Sequence, residues 1–144
     1  MIYYIIIRGP LGVGKTTIAN KLAKKLKGEH ISIDRLLEQY GLDKVPKCAP
    51  SIPLENFNKI IDLTFQELKK KLASKKIVIF EGNFYYKAQI MHLIDRLGNN
   101  YYAFTLKAPL ETCIKRDSKR KRVYGKDAAR YLHDLVSKVD FGQI

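Results

Sequence analysis

Four residues near the start of the chain have types and a spacing that suit phosphate binding. They match the pattern G-x-x-x-x-G-K-S/T and are Gly9, Gly14, Lys15 and Thr16. Gly12 adds a further position where a backbone N–H can turn inward. Such inward N–H groups, together with the N-terminus of a following helix, bind phosphate. The spacing therefore predicts a phosphate-binding loop, defined here as residues 9–16.

The lysine and the threonine of this loop have separate expected tasks. Lys15 is expected to reach the β- and γ-phosphates of ATP or GTP as a point charge. The Thr16 hydroxyl is expected to complete the oxygen shell of Mg²⁺. The residues expected to bind the nucleotide are Gly9, Gly12, Val13, Gly14, Lys15, Thr16 and Thr17.

Two carboxylates end predicted strands. Asp34 follows the strand 30–33, and Glu81 follows the strand 77–80. In an open α/β sheet, ligands bind outside the carboxyl ends of the strands. Asp34 is a candidate general base for a substrate hydroxyl, and its alternative is an N-cap for a helix at 35–40. Glu81 is a candidate for holding Mg²⁺ through water, and its alternative is a carboxylate that faces the substrate.

Other candidates follow the second of these strands and lie in a basic segment. Asn83 could orient the substrate or cap the next helix. Arg116 and Arg120 lie four residues apart in the densest cationic block, so one helical face could carry both and neutralise phosphoryl charge. Solvated surface charge is the alternative. Three tyrosines are candidates for stacking on bases: Tyr85, Tyr86 and Tyr124. The two tyrosines of a predicted strand, Tyr101 and Tyr102, are expected to pack.

The elements that must position these residues alternate between strands and helices. Apolar runs predict strands at 2–7, 30–33, 77–80 and 101–106. Helical periodicity predicts helices at 15–27, 35–40, 54–74, 86–97, 110–122 and 126–138. This alternation favours one α/β domain over 1–144 with a parallel sheet of four or five strands covered on both faces. The tail 141–144 is either a short last strand or an end without regular structure.

Some details of these elements are specific enough to test. In the first helix, Ile18, Leu22 and Leu26 recur at helical spacing, with Ala19 and Ala23 beside them. Gly28 is expected to stop that helix, and Pro109 is expected at the first position of a later one. The segment 45–53 has three prolines and is expected to be a surface loop.

The composition limits the class of protein and of partner. The 144 residues suit one domain, and no apolar run reaches the roughly 20 residues of a membrane span. Without a basic leader or cleavage site, a cytoplasmic location is expected. Cys48 and Cys113 are expected to be buried thiols. The net charge of +13 favours an anionic partner, although the lysines of 21–27 and 69–76 could simply solvate helix faces.

Taken together, these residues resemble the P-loop kinases that include polynucleotide 5′-hydroxyl kinases, zeta-type toxins, chloramphenicol phosphotransferase and adenylylsulfate kinase. The resemblance rests on 9–17, on Asp34, on 81–83 and on 113–120. It implies a three-layer P-loop fold with a short Arg-rich lid at about 116–126. It also implies ATP held by Lys15 and Thr16, a general base at Asp34, and donor phosphates gripped by Arg116 and Arg120.

The sequence departs from this group at two positions. Leu37 stands where polynucleotide kinases usually have an arginine that holds the acceptor's phosphate. Arg35 or a lysine of 44–47 could substitute for it. Glu81 stands where many relatives have aspartate.

Three functional hypotheses follow. The first is a Mg²⁺-dependent transfer of the γ-phosphate of ATP to a hydroxyl, with a 5′-hydroxyl of RNA or DNA favoured by the charge and the lid. The second is a kinase for a nucleoside, nucleotide, sugar or antibiotic. The third, from another class, is a nucleic-acid-binding NTPase switch without an acceptor. The sequence leaves the oligomeric state and the choice between ATP and GTP open.

Overall fold

The core of the fold is a four-stranded parallel sheet. In the computed structural model, the described residues are 3–10, 12–47, 52–82, 84–119, 130, 131, 133 and 134. The strands are β1 (Tyr4–Arg8), β2 (Glu29–Ser32), β3 (Val78–Glu81) and β4 (Tyr101–Thr105). Their order across the sheet is β2-β3-β1-β4, and every neighbouring pair is parallel. The predicted parallel α/β sheet is confirmed.

Five helices fill the segments between and after the strands. They are α1 (Lys15–Leu26), α2 (Ile33–Gln39), α3 (Leu54–Ala73), α4 (Lys87–Leu97) and α5 (Leu110–Ser118). α2 begins two residues earlier than predicted, and Pro109 is the N-cap of α5 and not its first residue. Residues 130, 131, 133 and 134 are helical. The rest of the predicted helix 126–138 and the tail 141–144 lie outside the described residues.

Alternate strand residues face opposite sides of the sheet and build three layers. On one side, Ile5, Ile7 and Ile79 pack with Ala19 and Ala23 of α1. On the other side, a larger apolar cluster joins the sheet to α2, α3 and α4; its members include Tyr4, Ile6, Phe80, Leu37, Phe57, Ile60, Ile61, Leu68, Ile90 and Leu93. Helices on both faces explain why β1 and β3 are buried along their whole length.

The apolar positions of α1 are not all buried. Ile18 and Leu26, two of the residues that recur at helical spacing, are 44% and 40% exposed, whereas Ala19 and Ala23 are buried. Small side chains let a helix lie close to a sheet, so the alanines take the central line and Leu22 packs only at its side. The predicted helix is confirmed, but its spacing alone does not tell which of its apolar positions are buried.

Gly28 follows the C-cap of α1 directly, so the helix stops where it was predicted to stop. The residue with left-handed backbone there is the C-cap itself, Lys27, with φ of 53°. The N–H of Gly28 donates to Ala23 O at 2.8 Å. A Cβ on Gly28 would lie 2.2 Å from Ile77 O, which is shorter than any allowed contact. A glycine is required here because the chain entering β3 passes so close.

The two strand tyrosines have different surroundings. Tyr101 stacks on Tyr4 with ring centroids 6.0 Å apart, as expected for packing. Tyr102 is 45% exposed and meets Tyr3 edge-on at 5.3 Å.

Cys113 is fully buried, whereas Cys48 lies outside the described residues. Within the described ranges, no helix has the length and apolar character needed to cross a membrane.

Because Ala19 is buried and Ile18 is exposed, substitutions at the two positions should affect stability differently. Ala19→Leu should lower the free energy of unfolding by about 1–3 kcal/mol, because the added atoms enter a packed interface. Ile18→Gln should change it by less than about 0.5 kcal/mol, because the side chain is largely in water. Denaturant titration of both variants measures this. A larger loss for Ile18→Gln would contradict the assigned face.

Candidate active site

The phosphate-binding loop joins β1 to α1 through glycines in left-handed conformations. Gly12 has φ of 81° and Gly14 has φ of 102°, values that side chains rarely adopt. A Cβ on Gly12 would also lie 2.2 Å from Cys113 O, because α5 lies directly against the loop. Gly14 is the N-cap of α1 and offers no side chain to the first N–H groups of that helix. The geometry suits an anion at this end of α1.

Lys15 turns back onto the loop. Its ammonium group donates to Gly9 O at 2.9 Å and to Pro10 O at 3.2 Å. The side chain is buried, and Nζ lies 5.7 Å from the centroid of the Tyr85 ring. The carbonyls of Gly9 and Pro10 are neutral, so a phosphate oxygen would attract the ammonium more strongly than they do.

A chain of hydrogen bonds joins α1, β3 and β2. Thr16 Oγ1 donates to Glu81 Oε1 at 3.0 Å, and His30 Nε2 donates to the same oxygen at 3.3 Å. The other ring nitrogen of His30 lies 2.7 Å from Asn20 Oδ1. Glu81 is only 2% exposed. The threonine and the carboxylate predicted for Mg²⁺ therefore meet directly.

The Glu81 carboxyl is held in its charged form. Burial alone would raise its pKa, but the hydrogen bonds from His30 and Thr16 and the nearby Lys15 charge together lower it below 4.5. An anionic carboxylate next to a threonine hydroxyl is a donor set that suits Mg²⁺. Among the described residues, no group of three or more His, Cys, Asp and Glu could hold a metal. Thr16 and Glu81 would be two of the ligands of a Mg²⁺, with phosphate oxygens and water as the others.

Asp34 lies at the same edge of the sheet, in the first turn of α2. The N-cap of α2 is Ser32, whose Oγ accepts from the Arg35 N–H at 3.2 Å. The alternative of Asp34 as the N-cap is therefore wrong. Asp34 Oδ1 would lie 3.5 Å from a Cβ built on Gly82, the residue after Glu81. Asp34 thus lies beside the backbone that follows Glu81, while Arg35 is exposed on α2.

Arg116 reaches the phosphate-binding loop from α5. Its NH1 donates to Val13 O at 2.7 Å. α5 ends at Ser118, so the predicted helix to 122 is shorter in the structure. Arg120 lies outside the described residues, and its pairing with Arg116 stays a prediction.

Asn83 also lies outside the described residues, and its substrate role stays a prediction. The N-cap of α4 is Tyr86, whose N–H donates to Gln89 Oε1 at 3.0 Å. Tyr85, a candidate for base stacking, is buried beside Lys15 in this structure. Tyr124 lies outside the described residues.

Two residues near the site were not predicted. His30 holds Glu81, as described above, and Arg8 is completely buried at the end of β1. Arg8 Nε donates to Phe84 O at 2.8 Å and NH1 to Thr105 Oγ1 at 3.0 Å. It thereby ties the segment after β3 to the end of β4. The available signal was a charged residue at the end of an apolar strand.

A comparison with protein families agrees with this geometry. A family model described as an AAA domain matches residues 5–135, which is most of the chain. The chain belongs to this family. Its phosphate-binding loop and parallel sheet are those of a P-loop kinase domain, as the sequence resemblance indicated.

Named relatives of this P-loop kinase domain are also kinases. An adenylate kinase of Mycoplasmopsis pulmonis is 28% identical over 97% of this chain and 69% of its own length. A sugar kinase of Janibacter sp. has a TM-score of 0.75 at 16% identity, covering 99% of this chain and 82% of that one. A chain in the Pnkp1/Rnl/Hen1 RNA repair complex also has 0.75, at 15% identity, over 99% of this chain and 48% of that one. The fold is thus that of kinase-type P-loop phosphotransferases.

The Glu81 interactions predict a pH-dependent contribution to stability. Because folding lowers the pKa of this carboxyl, its stabilising effect is complete above the unfolded-state value and is lost as the pH falls through the folded-state value. Wild type should therefore exceed Glu81→Gln in unfolding free energy near neutral pH. The difference should shrink as the pH falls below 4.5. Denaturant titrations at several pH values measure it, and a constant difference would contradict the prediction.

His30 should act as a positioning residue for Glu81. His30→Leu removes the N–H donor, so the Mg²⁺ concentration needed for tight nucleotide binding should rise by about 10-fold or more. His30→Gln keeps a donor at a similar reach and should retain most of the wild-type Mg²⁺ dependence. Calorimetric titration of ATP at a series of Mg²⁺ concentrations distinguishes them. If His30→Leu and His30→Gln needed the same Mg²⁺ concentration for ATP binding, the hydrogen bond from His30 to Glu81 would serve packing alone.

Proposed function

We propose that this protein transfers the γ-phosphate of Mg²⁺-bound ATP to a hydroxyl group, and that the acceptor is the 5′-hydroxyl of a nucleic acid. The observation that carries the phosphotransferase part is the direct contact of Thr16 with Glu81, with Asp34 beside Gly82. The candidate metal ligands and the candidate base thereby lie at one edge of the sheet, next to the phosphate-binding loop. The chain covers less than half of the matched chain from the RNA repair complex, so this similarity alone does not identify the acceptor.

The residues of the loop would hold the donor. Bound Mg²⁺-ATP supplies the phosphoryl group, and its metal neutralises charge on the phosphate oxygens. Lys15, which contacts the carbonyls of Gly9 and Pro10, would turn to the phosphates at the end of its flexible side chain. The Thr16 hydroxyl and Glu81 would hold the metal, directly or through water. Arg116, bonded to Val13 O, would add positive charge beside the loop.

Asp34 would act on the acceptor. Its carboxylate takes the proton of the attacking hydroxyl, the hydroxyl oxygen forms a bond to the γ-phosphorus, and the bond to the β-phosphate oxygen breaks to release ADP. The base must lie within hydrogen-bond reach of that hydroxyl. Its place in the first turn of α2 is favourable, because the helix N-terminus stabilises a negative charge.

Two observations support a nucleic-acid acceptor. The chain has a net charge of +13, which attracts a polyanion over long distances. Its fold matches a chain in an RNA repair complex over 99% of its own length. A small-molecule acceptor is the second candidate, and its support is the similarity to an adenylate kinase and to a sugar kinase.

The test is transfer of label from γ-labelled ATP to a panel of 5′-hydroxyl RNA and DNA oligonucleotides, nucleosides, nucleotides and sugars. Oligonucleotides should be labelled, and Asp34→Asn should lower the rate by about 100-fold or more while ATP still binds. Lys15→Ala should lose ATP binding itself.

Each other outcome has a definite meaning. Label in a small molecule alone would reject the nucleic-acid acceptor and retain the kinase. ATP hydrolysis without a labelled acceptor, unchanged in Asp34→Asn, would favour the NTPase switch. Rising salt should weaken the labelling of long oligonucleotides and leave that of small acceptors nearly constant.

A further inference from the structure

Two lysine-rich segments meet at the edge of the sheet opposite the phosphate-binding loop. α1 leads into the start of β2, and α3 leads into the start of β3. Glu29 N donates to Ile77 O at 2.8 Å, and Glu29 pairs with Val78 in the parallel ladder. The ends of both helices therefore lie side by side. We name this surface the lysine edge; it consists of Lys24, Lys25, Lys27, Lys71, Lys75 and Lys76.

The lysine edge carries a large excess of positive charge. The segments 24–29 and 71–77 together have six lysines, and Glu29 is their one acidic residue. Lys71 Nζ donates to Glu29 Oε1, so that pair neutralises itself. The other five lysines are exposed. They form a positively charged surface that contains none of the residues assigned to catalysis or nucleotide binding.

Helix stability does not account for two of these lysines. Among the described residues, Lys27 and Lys75 are the two non-glycine residues with positive φ, at 53° and 68°. A left-handed residue other than glycine costs about 1–2 kcal/mol. A cation at a helix C-terminus gains only about 0.3–1 kcal/mol from the helix dipole at an exposed site. Glycine would therefore suit the backbone better at both positions, and the side-chain charge is what lysine adds.

We propose that the lysine edge binds the phosphate backbone of a nucleic acid. A row of flexible ammonium groups suits sequence-independent phosphate contacts. The segments 24–29 and 71–77 contain no aromatic side chain that could insert into a membrane surface, which favours a nucleic acid over a lipid. The 12 residues of α1 separate this surface from the loop by about 18 Å. It is thus a second, separate surface, and its binding does not depend on which acceptor the kinase site uses.

The strained backbone offers a test that separates charge from folding. In the double variant Lys27→Gly/Lys75→Gly, two charges are lost while the left-handed conformations become easier. Its thermal stability should equal or exceed that of wild type. Its affinity for a labelled single-stranded RNA or DNA of about 20 nucleotides should fall about 10-fold at low salt. The slope of log affinity against log salt should become shallower by about 0.7 for each lysine removed.

Matched controls decide the interpretation. Lys27→Arg/Lys75→Arg keeps both charges and should bind as wild type does. Lys59→Gln removes one exposed lysine elsewhere on α3 and should weaken binding less than the single variant Lys75→Gly does. The proposal would be overturned by unchanged binding in the double glycine variant, or by a loss of affinity in Lys59→Gln as large as that in Lys75→Gly. So would binding to vesicles of anionic phospholipid that exceeds binding to RNA and DNA.

The binding measurement uses no ATP, and this keeps the two proposals distinguishable. If RNA and DNA do not bind at the lysine edge, label transfer still tests the kinase site by itself. Label transfer to a small acceptor, with oligonucleotide binding lost in the double glycine variant, would retain the lysine edge and reject the nucleic-acid acceptor.

Discussion

The buried carboxylate of Glu81 is the constraint on which the site depends. A charged group that is 2% exposed must be matched by hydrogen bonds or opposite charge, because burying it alone would cost several kcal/mol. The matching groups come from two elements: Lys15 and Thr16 are the first residues of α1, and His30 lies in β2. Satisfying one carboxylate thereby fixes the start of α1 against β2 and the end of β3. The position of the phosphate-binding loop follows from the same requirement.

A second contact fixes the other side of the loop. Gly12 lies so close to Cys113 O that any side chain there would displace α5. This close approach lets Arg116, one turn further along α5, reach Val13 O. The glycine thus serves two needs at once, since its φ of 81° also shapes the loop. An arginine in contact with the loop needs α5 at this distance, so the packing of Cys113 and the position of the guanidinium are linked.

The parts of the fold and site that could be predicted were those that depend on local pattern. Strands, helices and the phosphate-binding loop follow from periodicity and spacing, and Glu81 and Asp34 follow from the rule that strand ends share an edge. His30 could not be predicted as a partner of Glu81, because that pairing depends on β2 lying next to β3. The burial of Ala19 and Ala23 could not be predicted, because periodicity gives the spacing of a face and not the size of residue it accepts. The close approach of Ile77 to Gly28 could not be predicted either, because it is a tertiary contact.

The sheet has two edges with different charge arrangements, and parallel topology explains both. Every β-α connection leaves from the carboxyl edge, where Glu81 contacts Thr16 in the first turn of α1 and Asp34 lies beside Gly82. Every α-β connection returns to the other edge, so helix C-termini collect there, and their partial negative charge favours lysine in the last turns. That preference explains Lys24, Lys25 and Lys71 without any ligand. It does not explain lysines in left-handed conformations at Lys27 and Lys75, where the backbone cost exceeds the electrostatic gain. Parallel topology therefore accounts for some of the lysines at this edge. Lys27 and Lys75, which it does not explain, are the residues that point to an anionic partner.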